Sequence, residues 1–502
     1  MTKPFSRRTF LVAAGAAATG VALSACSERT PGQAVGPLAA AVGEREDRRR
    51  RPGAAVREVA LVAAPATVDL GGRTASTWVY GGALPGPLLR LRAGEVLRAR
   101  LDNRLPAPTS IHWHGIALRN DMDGVPGVTQ EPVAPGASFT YEFTVPDPGT
   151  YFFHAHVGVQ LDRGLYGTLL VDDPAEPGRY DRELVIVLDD WTDGVGRSPD
   201  QVLEDLQRRG MAGMGGMGNM EGMQGGMGGM GDARNPLGGD PGDVRYPLYL
   251  VNGRPPGSPR SLGARPRERV RLRIVNAGAD TAFRVALAGH RLTVTHTDGF
   301  PVRPVTGDAL LVGMGERYDA LVDLGDGAFP LVALAEGKDA RATAVVRTGR
   351  GPTPRLDTRP PELDGRLLTA AGLRPAAGVD LGSRDPARTH RLVLAGDMQQ
   401  YRWTINGRTF DRAVPLEVRD GERVRLVFEN RSMMFHPMHL HGHTFQVRDG
   451  HRPGPRKDTV VVRPMRRVTV DLETANPGQW MIHCHNAYHQ QAGMMTTLSY
   501  VR

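Results

Sequence analysis

Hydrophobic and polar residues alternate in three similar stretches of the chain, at 95–103, 268–276 and 422–430. Each stretch starts with Glu and ends with Asn, and apolar residues recur at every second position within it. That period is typical of a β-strand with one buried face. Because the three copies are widely separated, they predict three repeats of one all-β domain rather than a solenoid.

The repeats place domain one at 56–175, domain two at 176–348 and domain three at 388–502, with the Pro-rich segment 349–387 as a connector. The 63 Gly and 39 Pro among 502 residues fit strands bounded by turns better than long helices. A hydrophobic content of 40% is enough to bury a sizeable core, which excludes wholesale disorder. The sequence therefore predicts an all-β protein of three similar domains.

The net charge of +8 does not indicate a nucleic-acid partner. Four of the arginines form one short run, Arg48 to Arg51, and such runs are more often solvated linker than a binding surface. No basic surface interleaved with aromatic residues is readable elsewhere, so we expect no nucleic-acid binding.

The N-terminus predicts export. Ser6-Arg7-Arg8-Thr9-Phe10-Leu11 resembles the twin-arginine pattern, and a short run of small apolar residues follows it. Leu23-Ser24-Ala25-Cys26 resembles a lipobox, which predicts a lipoprotein signal over 1–26, a lipid on Cys26 and a linker over 27–55. The alternative is a conventional signal with an incidental Cys26. Either way we expect a cell-envelope location, lipid-anchored on the outer side of the cytoplasmic membrane in the first case.

Histidines follow the repeat in domains one and three but not in domain two. At nine and eleven residues after the repeat's Asn, domain one has His112 and His114, domain three has His439 and His441, and domain two has Val285 and Leu287. A second anchor, Pro-Gly-x-aromatic, precedes another His-x-His in domains one and three. Those histidines are His154, His156, His483 and His485, whereas the expected counterparts in domain two are Val332 and Leu334.

Four matched His-x-His pairs indicate a metal centre. Five such triplets occur among 15 His, counting His441 with His443, whereas chance predicts about 0.5. Residues i and i+2 of a strand project from one face, so each pair directs two imidazoles the same way. A bare cluster of eight imidazoles is costly, and bound metal compensates for it. Hydrogen-bonded core histidines would explain one pair, and we assign His443 to that role, but not four at matched offsets.

A further set of ligands occurs only in domain three. Where domain one has Thr109, Ala155, Gln160 and Leu165, domain three has His436, Cys484, His489 and Met494. Two imidazoles, a thiolate and a weak thioether form the blue-copper set, which is suited to one-electron transfer. We expect His436 or His489 to present an exposed edge to a reductant. Because His483 and His485 flank Cys484, an electron accepted there has a covalent route to the eight-histidine cluster, which four-electron reduction of O₂ requires.

These motifs resemble those of three-domain bacterial multicopper oxidases, including the laccase-like and CueO-type cuprous oxidases, over residues 56–502. The resemblance implies three cupredoxin-like Greek-key β-sandwich domains and four copper ions per chain. It implies a type 1 copper at His436, Cys484, His489 and Met494, and a type 2 copper at His112 and His439. The type 3 pair would be held by His114, His154 and His485 and by His156, His441 and His483.

Two positions near the ligands affect proton delivery. Asp123, in an Asp-Gly-Val-Pro sequence, matches the acidic residue that assists proton delivery in the family, although an ordinary Asp-Gly turn is the alternative. Relatives often have Glu directly after the last histidine ligand, whereas this chain has Gln490. An amide does not donate and regain a proton as a carboxyl does, so we expect protons to reach O₂ by another route or more slowly.

A methionine-glycine segment opens domain two. Its Gly content opposes helix, so we expect an exposed loop. Soft thioethers select Cu(I), and the segment resembles the Met-rich inserts of cuprous oxidases, although those inserts lie nearer the third domain. Low-complexity drift is the alternative. The candidate Cu(I)-capturing residues are Met211, Met214, Met217, Met220, Met223, Met227 and Met230.

The sequence thus predicts an exported oxidoreductase that oxidises Cu(I), or other small reductants, with O₂ as acceptor in copper tolerance. A laccase-like phenol oxidase or an oxidase of another metal ion is the alternative within the class. A non-enzymatic envelope scaffold of the same fold would have lost its ligands, and a copper-storage protein would not need Cys484 between two histidines.

Overall fold

The computed structural model describes residues 33–176, 179–210, 235–355, 357–450 and 452–502. The chain is all-β, as predicted, and its strands form three pairs of packed sheets. No helix within these described ranges is long and apolar enough to cross a membrane. The signal, Cys26 and the seven methionines of the Met-rich segment lie outside the described residues.

Domain one consists of two four-stranded sheets, in the orders β2-β1-β4-β6 and β3-β8-β7-β5. Its strands are β1 Val56–Asp69, β2 Thr74–Tyr80, β3 Leu89–Arg92, β4 Val96–Asn103, β5 His112–His114, β6 Ser138–Thr144, β7 Gly149–His154 and β8 Tyr166–Asp172.

Domain two has two six-stranded sheets, in the orders β10-β9-β12-β17-β14-β15 and β11-β19-β18-β13-β16-β20. The last strand comes from the segment predicted as a connector, which therefore packs on domain two. The strands are β9 Arg182–Trp191, β10 Leu248–Val251, β11 Arg260–Gly263, β12 Arg269–Asn276, β13 Phe283–Leu287, β14 Leu292–Thr297, β15 Phe300–Gly307, β16 Ala309–Val312, β17 Arg317–Asp323, β18 Ala328–Ala335, β19 Ala340–Arg347 and β20 Leu367–Leu368.

Domain three pairs a six-stranded sheet, β22-β21-β24-β29-β26-β27, with a five-stranded sheet, β23-β31-β30-β25-β28. Its strands are β21 Arg388–Asp397, β22 Arg402–Ile405, β23 Leu416–Val418, β24 Arg423–Asn430, β25 His436–Leu440, β26 Phe445–Asp449, β27 Arg452–Lys457, β28 Thr459–Val462, β29 Arg467–Glu473, β30 Gln479–Cys484 and β31 Met495–Tyr500. The described residues also contain short 3-10 helices and three α-helices: α1 Ala40–Arg49, α2 Pro199–Arg209 and α3 Ala487–Gln491.

The repeated Glu and Asn of the sequence have the same roles in all three domains. Each Asn donates from Nδ2 to one backbone oxygen of the following loop and to another in a more distant part of its domain. Its side-chain oxygen accepts the backbone N–H two residues on. Each Glu accepts from the backbone N–H three residues earlier and from an Arg on the neighbouring strand. The repeated strands β4, β12 and β24 therefore begin and end in the same way, and the Asn fixes the loop that leads to the next strand.

Residues 33–49, which belong to the segment predicted as a linker, are structured and include α1. Val35 N donates to Tyr500 O at 2.8 Å. In α1, Glu46 is buried against β6, which is the edge strand of its sheet. Its Oε1 accepts the backbone N–H of Thr144 at 2.6 Å. An edge N–H without a partner is costly, which explains why a charged residue is buried here.

The predicted counterparts of the second histidine pair in domain two are one residue off. His154 pairs with His112 across β7 and β5, and His483 pairs with His439 across β30 and β25. In domain two the equivalent partner of Val285 is Ala333, not Val332. The anchoring glycines share one unusual φ, 152° at Gly149, 143° at Gly478 and 149° at Gly327, so domain two has one extra residue between its glycine and this pair.

Candidate metal centre

Eight histidines meet where the paired strands β5 and β7 of domain one face the paired strands β25 and β30 of domain three. All eight are buried, between 0 and 6% exposed. His112 Nε2 lies 3.4 Å from His439 Nε2, and His441 Nε2 lies 3.0 Å from His483 Nε2. His112 and His114 both lie within β5, whereas His156, His441 and His485 lie just past the ends of β7, β25 and β30. The strands and the residues that directly follow them bring all eight rings into one cluster.

The nitrogen atoms fall into compact groups. The predicted trio of His156, His441 and His483 offers atoms that all lie within 4.8 Å of one another. His112 and His439 belong to a second such group together with His441. The predicted trio of His114, His154 and His485 is also brought together, with the His485 ring centroid 4.9 Å from that of His114 and 5.3 Å from that of His154.

Most of these imidazoles have one nitrogen held by the protein. His112 Nδ1 lies 3.0 Å from Asp123 O, His439 Nδ1 lies 3.0 Å from Asp458 O, and His483 Nδ1 lies 2.9 Å from Cys484 O. His154 Nδ1 is likewise 2.9 Å from Ala155 O. Such bonds fix the tautomer and the ring orientation, which leaves the other nitrogen as a donor to metal.

The remaining nitrogens fit metal ions. Five buried nitrogens on four of these histidines have no hydrogen-bond partner: His114 Nδ1, His154 Nε2, His156 Nε2 and both ring nitrogens of His485. Burial, followed by the neighbouring imidazoles, holds the pKa of His154, His156, His441 and His485 well below the ordinary value. The rings are therefore neutral, which is the form that binds metal, and copper suits an all-imidazole donor set.

The predicted type 1 residues also converge, within domain three alone. Cys484 Sγ lies 3.6 Å from Nδ1 of both His436 and His489, and these two nitrogens are 3.2 Å apart. Met494 is buried, and its backbone oxygen accepts from Cys484 N at 3.1 Å. The side chain of Asn486 accepts the backbone N–H groups of Tyr488 and His489, which starts α3 and orients His489.

Neither type 1 histidine presents an exposed edge, so that expectation is wrong. Both rings are 0% exposed because their outer nitrogens are covered. His436 Nε2 lies 2.8 Å from Ser432 Oγ, and His489 Nε2 lies 2.9 Å from the carboxylate of Asp243. Although burial by itself lowers it, the charge and hydrogen bond of Asp243 raise the pKa of His489 to about 10.

Sequence reasoning missed Asp243. It lies in the segment that leads out of the Met-rich stretch, and its Oδ2 also accepts from Tyr401 OH at 2.6 Å. Nothing in the local pattern marks it, since it belongs to domain two and acts on domain three. The isolated pairing of Asp240 with Met434 brings this segment next to the start of β25, which carries His436.

Asp123 contacts the histidine cluster from domain one. Its Oδ2 lies 2.9 Å from His441 Nδ1 and its Oδ1 lies 3.1 Å from His112 Nδ1, so one carboxylate touches ligands of both domains. Gly124 permits this, because a Cβ there would lie 1.8 Å from Ile111 O. Asp123 thus positions two imidazoles, whereas its role in proton delivery stays a prediction.

A second carboxylate, Asp458, approaches from the other side and was also missed. Its Oδ1 lies 3.1 Å from His114 Nε2 and 2.8 Å from Thr459 Oγ1. Burial alone would raise the pKa of Asp458, but the guanidinium of Arg317 holds it well below the usual range. Asp123 and Asp458 thus contact the eight-histidine cluster from two sides.

His443 and Gln490 lie beside the proposed ligands. His443 is structural, as expected, since its Nδ1 lies 3.1 Å from His441 O and its Nε2 lies 2.7 Å from Tyr500 OH. Gln490 is buried in α3, next to His489. The effect of Gln490 on proton delivery stays a prediction.

The chain is similar to known proteins over almost its whole length. Family models described as multicopper oxidase match residues 62–176, 182–351 and 383–501. The multicopper oxidase MmcO of Mycobacterium tuberculosis is 49% identical over 499 residues, covering 99% of this chain and 97% of that protein. A copper resistance protein A homolog of Pseudomonas syringae pv. tomato is 30% identical over 531 residues, covering 85% of this chain and 89% of that protein. The crystal structure of the laccase from Botrytis aclada matches with a TM-score of 0.71 at 26% identity, covering 95% of this chain and 93% of that one.

Proposed function

The chain belongs to the multicopper oxidase family, a copper-dependent class of oxidoreductase, and we propose that it oxidises Cu(I) with O₂ in copper tolerance. The overall reaction takes four Cu(I), one O₂ and four protons to four Cu(II) and two water molecules. The copper resistance protein A homolog of Pseudomonas syringae supports the physiological role. Export by the twin-arginine route and a lipid on Cys26 remain parts of the proposal that rest on the N-terminal sequence.

The main support for Cu(I) as the substrate is the position of the residues that flank the Met-rich segment. On its N-terminal side, Gly210 packs so closely on domain three that a Cβ there would lie 2.4 Å from Gln399 O. On its C-terminal side, Leu237 packs in one apolar cluster with Phe435, and Asp243 reaches His489. Both flanks of the segment therefore contact domain three, and the C-terminal flank reaches the type 1 residue His489, although the segment belongs to domain two in sequence.

Two exposed methionines on domain three also support Cu(I) as the substrate. Met433 is 67% exposed and follows Ser432, whose hydroxyl contacts His436. Met465 is 59% exposed on an adjacent turn, which is joined to the Met433 loop by the hydrogen bond from Asn430 N to Arg466 O at 2.9 Å. Exposed Met adds nothing to a core, and soft thioethers select Cu(I).

The donor sets fit four copper ions. His436, Cys484, His489 and Met494 would hold type 1 copper, and the eight histidines would hold the type 2 and type 3 ions. Bound there, copper supplies one-electron acceptance at the first set and O₂ reduction at the second. The protein itself fixes the imidazoles: Asn486 and Asp243 hold His489, Ser432 holds His436, and Asp123 holds two histidines of the cluster.

The test compares two substrates in three proteins. The kcat/KM for Cu(I) and for dimethoxyphenol is measured for the wild type, for a deletion of residues 211–230, and for a variant with the seven methionines changed to Ser. We expect both variants to lose Cu(I) turnover several-fold and to keep phenol turnover. The Ser variant preserves the length of the segment and so separates thioether chemistry from a change in geometry. Unchanged Cu(I) turnover in both variants would show that the segment does not capture Cu(I).

Phenol oxidation is the second candidate, and one observation favours it. A cavity of about 530 Å³ lies beside the type 1 residues, lined by Tyr401, Phe410, Gln491 and Gly493 among others. It is large enough for a small phenol. Two results together would favour the laccase-like alternative over the proposal. Dimethoxyphenol would be turned over faster than Cu(I), and a bulkier side chain at position 410 would block turnover of the phenol but not of Cu(I).

The non-enzymatic alternatives predict no turnover at all. A scaffold or storage protein would lack the intense blue absorption of a copper–thiolate site. Steady-state Cu(I) oxidation together with copper stoichiometry therefore separates these alternatives from an oxidase.

A further inference from the structure

We propose that domain two, which lacks the histidine pairs, takes part in building the eight-histidine centre through Arg317. Arg317 lies at the start of β17 and is 0% exposed. The proposal is that Arg317 positions the carboxylate of Asp458, and that Asp458 in turn orients His114 and His439. It rests on copper binding at the eight histidines, not on Cu(I) as the substrate.

Arg317 joins all three domains. Its Nη1 and Nη2 donate to the two carboxylate oxygens of Asp458 in domain three, at 2.7 and 2.6 Å. Its Nε donates to the backbone oxygen of Thr150 in domain one, at 3.1 Å, and Nη1 also donates to Gly315 O at 3.2 Å. A bidentate guanidinium fixes the plane of a carboxylate as well as its charge, which a lysine does not do.

Asp458 transmits that geometry to the histidines. Its Oδ1 lies 3.1 Å from His114 Nε2, and its backbone oxygen lies 3.0 Å from His439 Nδ1. Thr459 Oγ1 is within 3.1 Å of both His114 Nε2 and His439 Nδ1 and donates to Asp458. These bonds decide which nitrogen of His114 and of His439 faces the centre. In His114 the nitrogen that remains, Nδ1, has no partner.

Two glycines leave room for this arrangement. A Cβ on Gly115, next to His114, would lie 2.5 Å from Arg317 Nη2 and 2.7 Å from Asp458 Oδ2. A Cβ on Gly315 would lie 2.8 Å from the His485 ring and 3.0 Å from the His114 ring. Both have positive φ, +85° and +78°, so the turns that carry them admit glycine and bring the charged pair against the ligands.

Further buried charges connect Arg317 to the rest of domain two. Asp298 Oδ1 accepts from Arg317 N at 2.9 Å, and Asp298 Oδ2 accepts from the backbone N–H groups of Asp458 and Thr459 at 3.2 Å. Lys457 Nζ lies 3.0 Å from Asp298 Oδ2 and 3.1 Å from Glu316 Oε1. Two cations thus face three carboxylates, so loss of Arg317 would leave Asp458 buried without its counter-charge, which is strongly unfavourable.

A buried ion pair elsewhere in domain two provides the matched control. Arg271 and Asp319 are 3% and 2% exposed in their side chains and lie 2.6 Å apart, with Asp319 on β17 as well. This pair also contacts domain one, because Thr150 Oγ1 donates to Asp319 Oδ1 at 2.7 Å. It touches none of the eight histidines in the contacts described, so its loss reproduces the structural damage without the effect on the centre.

The experiment measures copper in the full-length holoenzyme of the wild type, Arg317→Met, Arg317→Lys and Arg271→Met. After dialysis against a chelator, copper per chain, the type 1 and type 2 paramagnetic resonance signals and the blue absorption are recorded. We expect Arg317→Met to lose type 2 copper at least about tenfold more readily than the wild type, as is usual for a lost supporting partner. The blue absorption should remain, since the type 1 set lies wholly in domain three.

Arg317→Lys keeps the charge without the bidentate geometry and should retain the fold, with a smaller loss of type 2 copper. Arg271→Met should retain its type 2 copper whatever its thermal stability. The proposal is overturned if both Arg317 variants keep type 2 copper as firmly as the wild type. It is also overturned if type 1 and type 2 signals fall in parallel, or if Arg271→Met loses type 2 copper equally. This experiment does not measure turnover of Cu(I). Its result can therefore contradict the role of Arg317 without contradicting Cu(I) as the substrate, and the reverse also holds.

Discussion

Domains one and three contain the same pocket with different side chains. In domain one, Thr109 Oγ1 donates to Gln160 Oε1 at 2.8 Å. In domain three the matching residues are His436 and His489, whose Nδ1 atoms are 3.2 Å apart beside Cys484 Sγ. The backbone is alike as well: Ala155 N donates to Leu165 O at 2.9 Å, and Cys484 N donates to Met494 O at 3.1 Å.

The comparison shows that the metal site depends on four side chains and not on the fold. One pocket closes with a neutral hydrogen bond, whereas the other gathers two imidazoles, a thiol and a thioether in the same frame. Function therefore lies in the residues placed on a shared scaffold. Exchanging or changing single side chains of the two pockets tests this contrast.

The largest effect is expected from Cys484→Ala, which gives domain three the residue that domain one has at this position. The variant should lose the blue absorption and all turnover, because in the proposed site the thiolate would both bind type 1 copper and link it to His483 and His485. It should keep the other three copper ions, measured as copper per chain. The reciprocal Ala155→Cys places a thiol without imidazoles and should produce no blue absorption. Residual blue colour in Cys484→Ala would contradict the assignment.

A smaller effect is expected from Asp243→Asn, which removes the charge behind His489. Since a lost supporting partner typically costs about 10–100-fold in metal affinity or activity, we expect turnover of Cu(I) to fall by about tenfold. The blue absorption should persist, as the four ligands remain. Asp240→Asn, in the same segment, is the control and should leave turnover within about twofold of the wild type. Equal losses in the two variants would mean that the segment, and not the Asp243–His489 contact, is what matters.

The local part of this architecture could be predicted from sequence. The repeated strands were readable because their alternation, their Glu and their Asn recur together, and each makes the same contacts in every domain. The histidine pairs could be placed because strand periodicity fixes the direction of residues i and i+2. The type 1 residues emerged from comparing domain three with domain one, position by position.

The contacts between domains could not be predicted. Asp243 and Arg317 belong to domain two but act on domain three, and no local pattern reports a partner that far along the chain. The same reason explains why His436 and His489 are buried and not exposed: Ser432 and Asp243 cover them. The single extra residue before Ala333 was missed because an apolar strand reads much the same in either register.

Met494→Leu is expected to have a moderate effect, since it gives domain three the residue that domain one has at 165. In the proposed site the thioether would be a weak copper ligand, and its removal should raise the reduction potential of the type 1 site while the blue absorption stays. Cu(I) turnover should remain within about an order of magnitude of the wild type, with resistant phenols oxidised relatively better. Redox titration of the blue band measures the change. Leu165→Met in domain one is the control, and an unchanged potential in Met494→Leu would show that Met494 does not act as the axial ligand.

The smallest effect on activity is expected from Thr109→Val, on the domain one side of the comparison. Thr109 is 0% exposed, and its loss leaves Gln160 Oε1 buried without its hydrogen bond, which should lower the free energy of unfolding by about 1–3 kcal/mol. For a domain of this size each kcal/mol corresponds to a fall in melting temperature of about 2–4 °C, measurable by calorimetry. Copper content and turnover should not change, because Thr109 and Gln160 of this pocket stand where domain three has the histidines of its proposed type 1 site. If Thr109→Val instead lowered turnover without lowering stability, the pocket of domain one would have a part in catalysis, and the contrast between the two pockets would fail.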